Sequence, residues 1–191
     1  MQGKNQEKEL KFALATVRDY QKLRDMLPNL QRVSYQTNYY FDTPSRLLAA
    51  RRIMVRVREE EGEVSLCLKR NATVASAYFT AEELTFPLDR PTWEQVKRGE
   101  LALSALSLLH RELGSLIQAE PLQLLGGIET ERWYFRHDGG FCIELDRIRM
   151  PDAREEYEVE VETETPESVR PLLLSLFQEQ GIRWAEQTQT K

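Results

Sequence analysis

Two cysteines and two histidines are all that 191 residues offer a soft metal ion. Cys67 and Cys142 fall in separate expected strands, and no CxxC pair or Cys/His cluster occurs. A disulfide framework or zinc site is therefore poorly supported, and reduced thiols are expected. His110 lies on an expected helix with no ligand-spaced partner, which makes it a surface or packing residue. Long apolar runs are missing too: none approaches the roughly 20 residues a bilayer span needs. The first twelve residues lack the apolar centre of a signal peptide, so no membrane association and a cytoplasmic location are expected. Positive charge is not in excess either, since 26 Lys and Arg face 31 Asp and Glu for a net charge of -5. That balance argues against nucleic-acid binding through a basic surface, yet it leaves an anionic small molecule open, because local order matters more than the sum. What is present, 41% hydrophobic and 30% charged residues, suits one globular domain over residues 1–191.

In chain order, Glu7 to Lys11 predicts a strand, and Thr16 then caps a helix whose stripe of Val17, Tyr20, Leu23 and Leu27 ends at Pro28 and Asn29. Val33 to Thr43 predicts a strand rich in aromatic and β-branched residues, with a turn at Asp42-Thr43-Pro44 and a helix or turn over 45–50. Ile53 to Arg58 and Glu63 to Arg70 predict a hairpin around Glu61-Gly62, followed by a flexible loop over 71–80. Glu82 to Leu88 resumes a strand. Pro91 to Arg98 predicts a short helix closed by Gly99, and Leu101 to Ile117 a longer one. Gly126-Gly127 opens a second hairpin, Ile128 to Arg136 and Phe141 to Met150. Tyr157 to Glu162 is expected as the last strand, and Thr165-Pro166-Glu167 starts a closing helix that ends at Gly181.

Period-two alternation sorts the charges. Glu7, Glu9 and Lys11 share one strand face; a strand's rise puts Glu7 and Glu9 about 6 to 7 Å apart, close enough to converge on a hard cation. Taken alone, this pentapeptide fits an exposed, salt-bridged edge strand at least as well. Other strands, however, add acids at Glu144, Asp146, Glu158, Glu160 and Glu162, and bases at Arg56, Arg58, Lys69 and Arg132, each face backed by an apolar one. A barrel with these polar faces turned inward would set a metal-binding patch beside an anion-binding one. A cation about 4 Å from a phosphate oxygen gains on the order of 4 kcal/mol at an effective dielectric near 20, before desolvation. An open sheet with solvated charges satisfies the same pattern.

Six strings in order, Glu7-x-Glu9-x-Lys11, Tyr40-Phe41-Asp42-Thr43, Arg56-Val57-Arg58, Leu68-Lys69, Glu144-Leu145-Asp146 and Glu158-Val159-Glu160, resemble the CYTH superfamily of triphosphate tunnel metalloenzymes. Thr37 to Pro44 is most similar to an uncharacterised branch from Gram-positive bacteria. The resemblance implies a single CYTH domain of α+β class: an eight-stranded antiparallel β-barrel, the triphosphate tunnel, with a polar interior and flanking α-helices. It implies Mg²⁺ or Mn²⁺ held by Glu7, Glu9, Asp146, Glu158 and Glu160, and phosphates held by Lys11, Arg56, Arg58, Lys69 and Arg132. Lys191 stands where the family carries a phosphate-binding lysine in a C-terminal basic segment, a segment this sequence does not continue. The implied activity is metal-dependent hydrolysis by in-line attack of water, with Glu160 or Tyr40 as candidate catalytic residues. Inorganic triphosphate is the first candidate substrate. Thiamine triphosphatase, class IV-type adenylate cyclase and a non-enzymatic polyphosphate or nucleotide binder are the alternatives.

Overall fold

The computed structural model describes residues 3–118 and 120–187, with side chains from residue 6 onward. Lys191 lies outside the described residues. Eight strands carry the fold: β1 (Gly3–Leu14), β2 (Leu30–Asp42), β3 (Met54–Glu60), β4 (Glu63–Ala75), β5 (Tyr78–Pro87), β6 (Gln123–Arg136), β7 (Cys142–Arg149) and β8 (Glu155–Glu162). They pair in the order β5-β4-β3-β2-β6-β7-β8-β1, and β5 pairs with β1 as well, so the ring closes into an antiparallel barrel. With helices α1 (Val17–Met26), α2 (Leu47–Ala50), α3 (Arg90–Lys97), α4 (Ser107–Leu113) and α5 (Pro166–Glu179), the class is the expected α+β. Among the described residues, no helix is long and apolar enough to cross a membrane.

Chain contacts divide the molecule into two compact units. One is built mainly from Thr37–Ala72 and Glu82–Gly127, the other from Gln6–Gln36, Thr73–Ala81 and the chain from Ile128 onward. In the second unit, Leu10, Phe12 and Leu14 of β1 and Val159 and Val161 of β8 form a core with Tyr20 and Leu23 of α1 and Val169, Leu173 and Phe177 of α5. The apolar stripe of each helix covers the apolar face of the strands. The Thr16 hydroxyl caps α1 by accepting the Asp19 N–H at 3.3 Å, as its residue type predicts. Val17 is 40% exposed and does not join the stripe. β8 is buried on both faces from Tyr157 to Val161, although one face carries glutamates.

In the first unit, Val55, Val57, Leu66 and Leu68 pack with Leu48, Trp93, Leu109 and Leu113. Trp93 is fully buried, and its indole N–H donates to Glu59 at 2.6 Å. Asp42 organises the turn marked by Asp42-Thr43-Pro44: its carboxylate accepts backbone N–H groups from Thr43 at 2.7 Å, Leu48 at 2.9 Å and Ala49 at 3.1 Å. These are donors that the short α2 cannot satisfy within itself. Gly127 lies within β6, where an added Cβ would meet the Tyr39 ring at 3.4 Å.

Four expectations are corrected. Residues 71–80 are not a flexible loop: β4 and β5 run on to a two-residue turn at Ser76 and Ala77, at φ 49° and 64°. This is the doubly left-handed turn that suits strand twist, written here without the usual Asn-Gly. The helix expected over 101–117 is broken: Leu106 is extended and Gly114 has φ 50°, leaving α4 between two short 3-10 turns. β6 begins at Gln123 and runs through Gly126 and Gly127 rather than after them. A ninth strand, β9 (Trp184–Glu186), follows α5 and pairs with β1, so β8 is not the last.

Candidate functional site

Strand register decides which side chains meet. In the second unit, on the face opposite the core, two rungs cross β6, β7, β8 and β1: Arg132, Asp146, Glu158 and Ala13; then Tyr134, Glu144, Glu160 and Lys11; beyond them Arg136 pairs with Cys142, and Glu162 with Glu9. Directly opposed side chains in an antiparallel pair lie close together, so Glu9, Glu144, Asp146, Glu158 and Glu160 gather around Lys11 and Arg132, while Glu162 is exposed. Asp146 and Glu158 are 1% exposed, Glu9 and Glu160 6%. Asp146, Glu158 and Glu160 can each present an oxygen within 4.8 Å of the other two. An all-oxygen donor set at that spacing fits a hard divalent cation such as Mg²⁺ or Mn²⁺.

Burying carboxylates is costly unless cations and donors compensate. Lys11 Nζ lies 2.9 Å from Glu9 Oε1 and 2.9 Å from Glu160 Oε1. Burial opposes its charge, but Glu160, Glu9 and Glu158 outweigh that and hold its pKa well above the ordinary lysine value. Arg132 forks onto Asp146, Nε to Oδ1 at 2.7 Å and a terminal nitrogen to Oδ2 at 2.6 Å. The same terminal nitrogen donates to Glu160 Oε2 at 2.6 Å, and the other donates to Glu144. Burial pushes the Glu144 carboxyl up to about 7 against the pull of Arg132, with Glu160 and Asp146 adding to the rise. Glu158 Oε1 accepts from the Gln187 side chain at 3.0 Å, just past β9.

The first unit carries a cationic array. Arg56 stands opposite Cys67 across β3 and β4. The residue is half-buried, and its buried Nε has no hydrogen-bond partner among the described residues. Burial works against its charge, yet Cys67, Tyr40 and Glu83 hold its pKa above the ordinary arginine value. Burial pushes the Cys67 thiol up in turn, and Arg56 opposes the rise. Arg58 Nε donates to Asn38 Oδ1 at 2.9 Å. Lys69 Nζ lies 3.1 Å from Glu83. Burial alone would raise the Glu83 carboxyl; Lys69 and Arg56 instead hold it below its ordinary value.

The structure thus gathers Glu9, Lys11, Arg132, Asp146, Glu158 and Glu160 in one unit and Tyr40, Arg56, Arg58 and Lys69 in the other. Glu7 is half-buried on β1 and does not belong to the carboxylate triad. Two residues escaped the sequence reading. Glu83 could have been found, since Glu83 and Thr85 alternate with Leu84 and Phe86. Gln187 could not: a three-residue strand leaves no periodicity to read.

Fold and site define a closed-barrel protein with a buried carboxylate cluster held by its own cations. The family model of the CYTH domain matches residues 5–188, and the chain belongs to that family. Among solved structures, it is similar to HpAC1 from Hippeastrum at a TM-score of 0.86 and 26% identity, covering 97% of this chain and 92% of that one. HpAC1 is described there as an adenylyl cyclase candidate with a dominant triphosphatase activity. An adenylate cyclase candidate from Bacillus halodurans aligns at a TM-score of 0.72 and 19% identity, over 97% of this chain and 96% of that one. The PH1819 protein of Pyrococcus horikoshii aligns at 0.60 and 19%, over 94% of each chain. No functionally curated protein matches the chain.

Proposed function

We propose that the protein is a metal-dependent hydrolase of a triphosphate compound, inorganic triphosphate first. The observation that carries this is the buried triad Asp146, Glu158 and Glu160, whose oxygens converge within 4.8 Å. The triad would hold Mg²⁺ or Mn²⁺, with Glu9 and Glu7 as the further acidic candidates. When bound, such an ion neutralises charge and polarises a phosphoryl oxygen. Arg56, Arg58, Lys69, Lys11 and Arg132 are the phosphate-binding candidates. Guanidinium groups match phosphate with two parallel donors, so Arg56 and Arg58 would orient the chain of phosphates while the lysines act as point charges. Glu160 and Tyr40 remain the candidates for handling the proton of the attacking water. Both Glu160 oxygens already accept from Lys11 and Arg132. A proton delivered to Glu160 would add to an oxygen that already accepts from one of these cations, whereas Tyr40 sits beside Arg56. The dominant triphosphatase activity described for HpAC1 supports hydrolysis over cyclisation.

The test is product analysis with inorganic triphosphate, ATP and thiamine triphosphate, each with Mg²⁺, with Mn²⁺ and with excess chelator. Orthophosphate that appears only with metal is expected, with inorganic triphosphate turned over fastest. Cyclic AMP with pyrophosphate would move the assignment to a cyclase, and binding without any product to a non-enzymatic module.

A further inference from the structure

Arg132 is already occupied. A guanidinium has five N–H donors, and four of those on Arg132 are committed: two to Asp146, one to Glu160 and one to Glu144. One donor is left for a phosphate. Lys11 is committed likewise, to Glu9 and Glu160. Both oxygens of Asp146 and both of Glu160 therefore hold a cation belonging to the chain, and these are two of the three carboxylates able to share a metal ion.

We infer that Arg132 is a resident counter-cation of the carboxylate site: a divalent ion must displace its guanidinium, and only the displaced guanidinium is free to meet the triphosphate. This rests on the metal reading proposed above. The physical reasons are competition and charge. A metal ion would compete with Arg132 for Asp146 and Glu160, since both Asp146 oxygens and one Glu160 oxygen accept from its guanidinium. Once a divalent ion lies among those carboxylates, it repels the guanidinium beside it, and a nearby phosphate offers that guanidinium a bidentate partner of equal quality. Metal and triphosphate then bind interdependently through one side chain, and each tightens the other by the same factor. Arg132 is thereby a positioning residue that sets the metal's affinity as well as a phosphate ligand.

The experiment is Mn²⁺ binding, followed by the electron-paramagnetic-resonance signal of the free ion, with no phosphate compound present. It compares the wild-type chain, Arg132→Gln, Arg132→Lys and the charge-matched double variant Arg132→Gln/Glu144→Gln, each first checked for native circular dichroism. The double variant removes the guanidinium together with Glu144, the one of its three carboxylate partners outside the triad, so the lost positive charge is offset in part and the triad is left intact. The double variant is expected to bind Mn²⁺ about tenfold tighter than wild type, within the usual range of coupling between sites. Arg132→Lys should fall between, because an ammonium cannot fork onto Asp146. A second readout is triphosphate binding: because most Arg132 donors are committed to carboxylates when no metal is bound, the double variant should lose much less affinity in excess chelator than it loses with Mn²⁺ present.

Equal or weaker Mn²⁺ binding by the double variant would overturn the inference while leaving the metal site intact. A loss of triphosphate affinity in that variant as large in excess chelator as with Mn²⁺ would overturn it as well, making Arg132 a standing phosphate ligand. Failure of every protein to bind Mn²⁺ would remove the metal reading and this inference together.

Discussion

Lys11 and Glu160 stand directly opposite each other on β1 and β8, and the ammonium sits 2.9 Å from the carboxylate. Glu160 is thus shared between a cation of its own chain and the triad proposed to hold a metal. Glu160→Gln and Glu9→Gln keep the shape of each side chain and an oxygen that can accept from Lys11. Steady-state kinetics with Mg²⁺ should show turnover falling by about a hundredfold or more, on the scale of losing one preorganised electrostatic element. Circular dichroism should not change. Full Mg²⁺-dependent activity in both variants would make the metal assignment wrong.

Arg56 is half-buried, with a buried Nε that has no hydrogen-bond partner among the described residues. A hydrogen bond to a charged group contributes about 1.5–3 kcal/mol, so Arg56→Ala should raise KM for inorganic triphosphate by about tenfold to a hundredfold. The effect on kcat should be smaller. Arg56→Lys should not restore KM, because it lacks the fork. Unchanged KM in the alanine variant would remove Arg56 from the substrate site.

Asp19 joins the start of α1 to the chain beyond α5: its carboxylate accepts the Arg183 backbone N–H at 3.1 Å and the Arg183 side chain at 3.2 Å. Burial would raise its pKa, but the Thr16 hydroxyl and Arg183 overcome that and lower it from the ordinary 3.8. A depressed carboxyl contributes stability above its unfolded pKa and loses it as pH falls through the lower folded value. Urea titrations should therefore show Asp19→Asn about 1–3 kcal/mol less stable at pH 7. The gap should narrow as pH falls below about 4. A gap that stays constant down to pH 2 would exclude the ionised carboxylate as the source.

Ser76 holds φ 49° in the β4–β5 turn and is exposed. A non-glycine residue in the left-handed region costs about 1–2 kcal/mol, part of which glycine's freedom in the unfolded chain takes back. Ser76→Gly should raise stability by about 0.5–1 kcal/mol, read as a higher urea midpoint with an unchanged slope. A lower midpoint would mean that the serine contributes more in this turn than its backbone conformation costs.

Alternation made most of the barrel legible. Glu158, Glu160 and Glu162 against Tyr157, Val159 and Val161 give a two-faced strand from letters alone, and β8 is that strand. The Glu61-Gly62 turn, at φ 50° and 90°, was legible because glycine announces it; the Ser76-Ala77 turn was not, because Ser and Ala do not. The broken helix over 101–117 misled through its leucines, which keep helical spacing even where Leu106 is extended. Within the site, residue types pointed to acids and bases in order. Register alone revealed that Arg132, expected to face phosphate, lies across from Asp146 and is tied to three carboxylates. No single-strand pattern contains that information.

The placement of β1 bears on how the chain is made. Glu9 and its cross-strand partner Glu162 are about 150 positions apart along the chain. At about 5–20 residues per second, roughly 10–30 seconds separate the two on a ribosome. During that interval β5 and the turn before it are the partners that emerge first, the Lys11 N–H donating to the Ala77 carbonyl of that turn. The edge of β1 that will meet β8 waits, and Leu10 and Phe12 have α1 as a core partner before Val159, Val161 and α5 follow. Pairings this distant along the chain fold slowly, so a nascent chain is exposed to aggregation until β8 has left the ribosome, and slower growth at lower temperature favours recovery of folded protein.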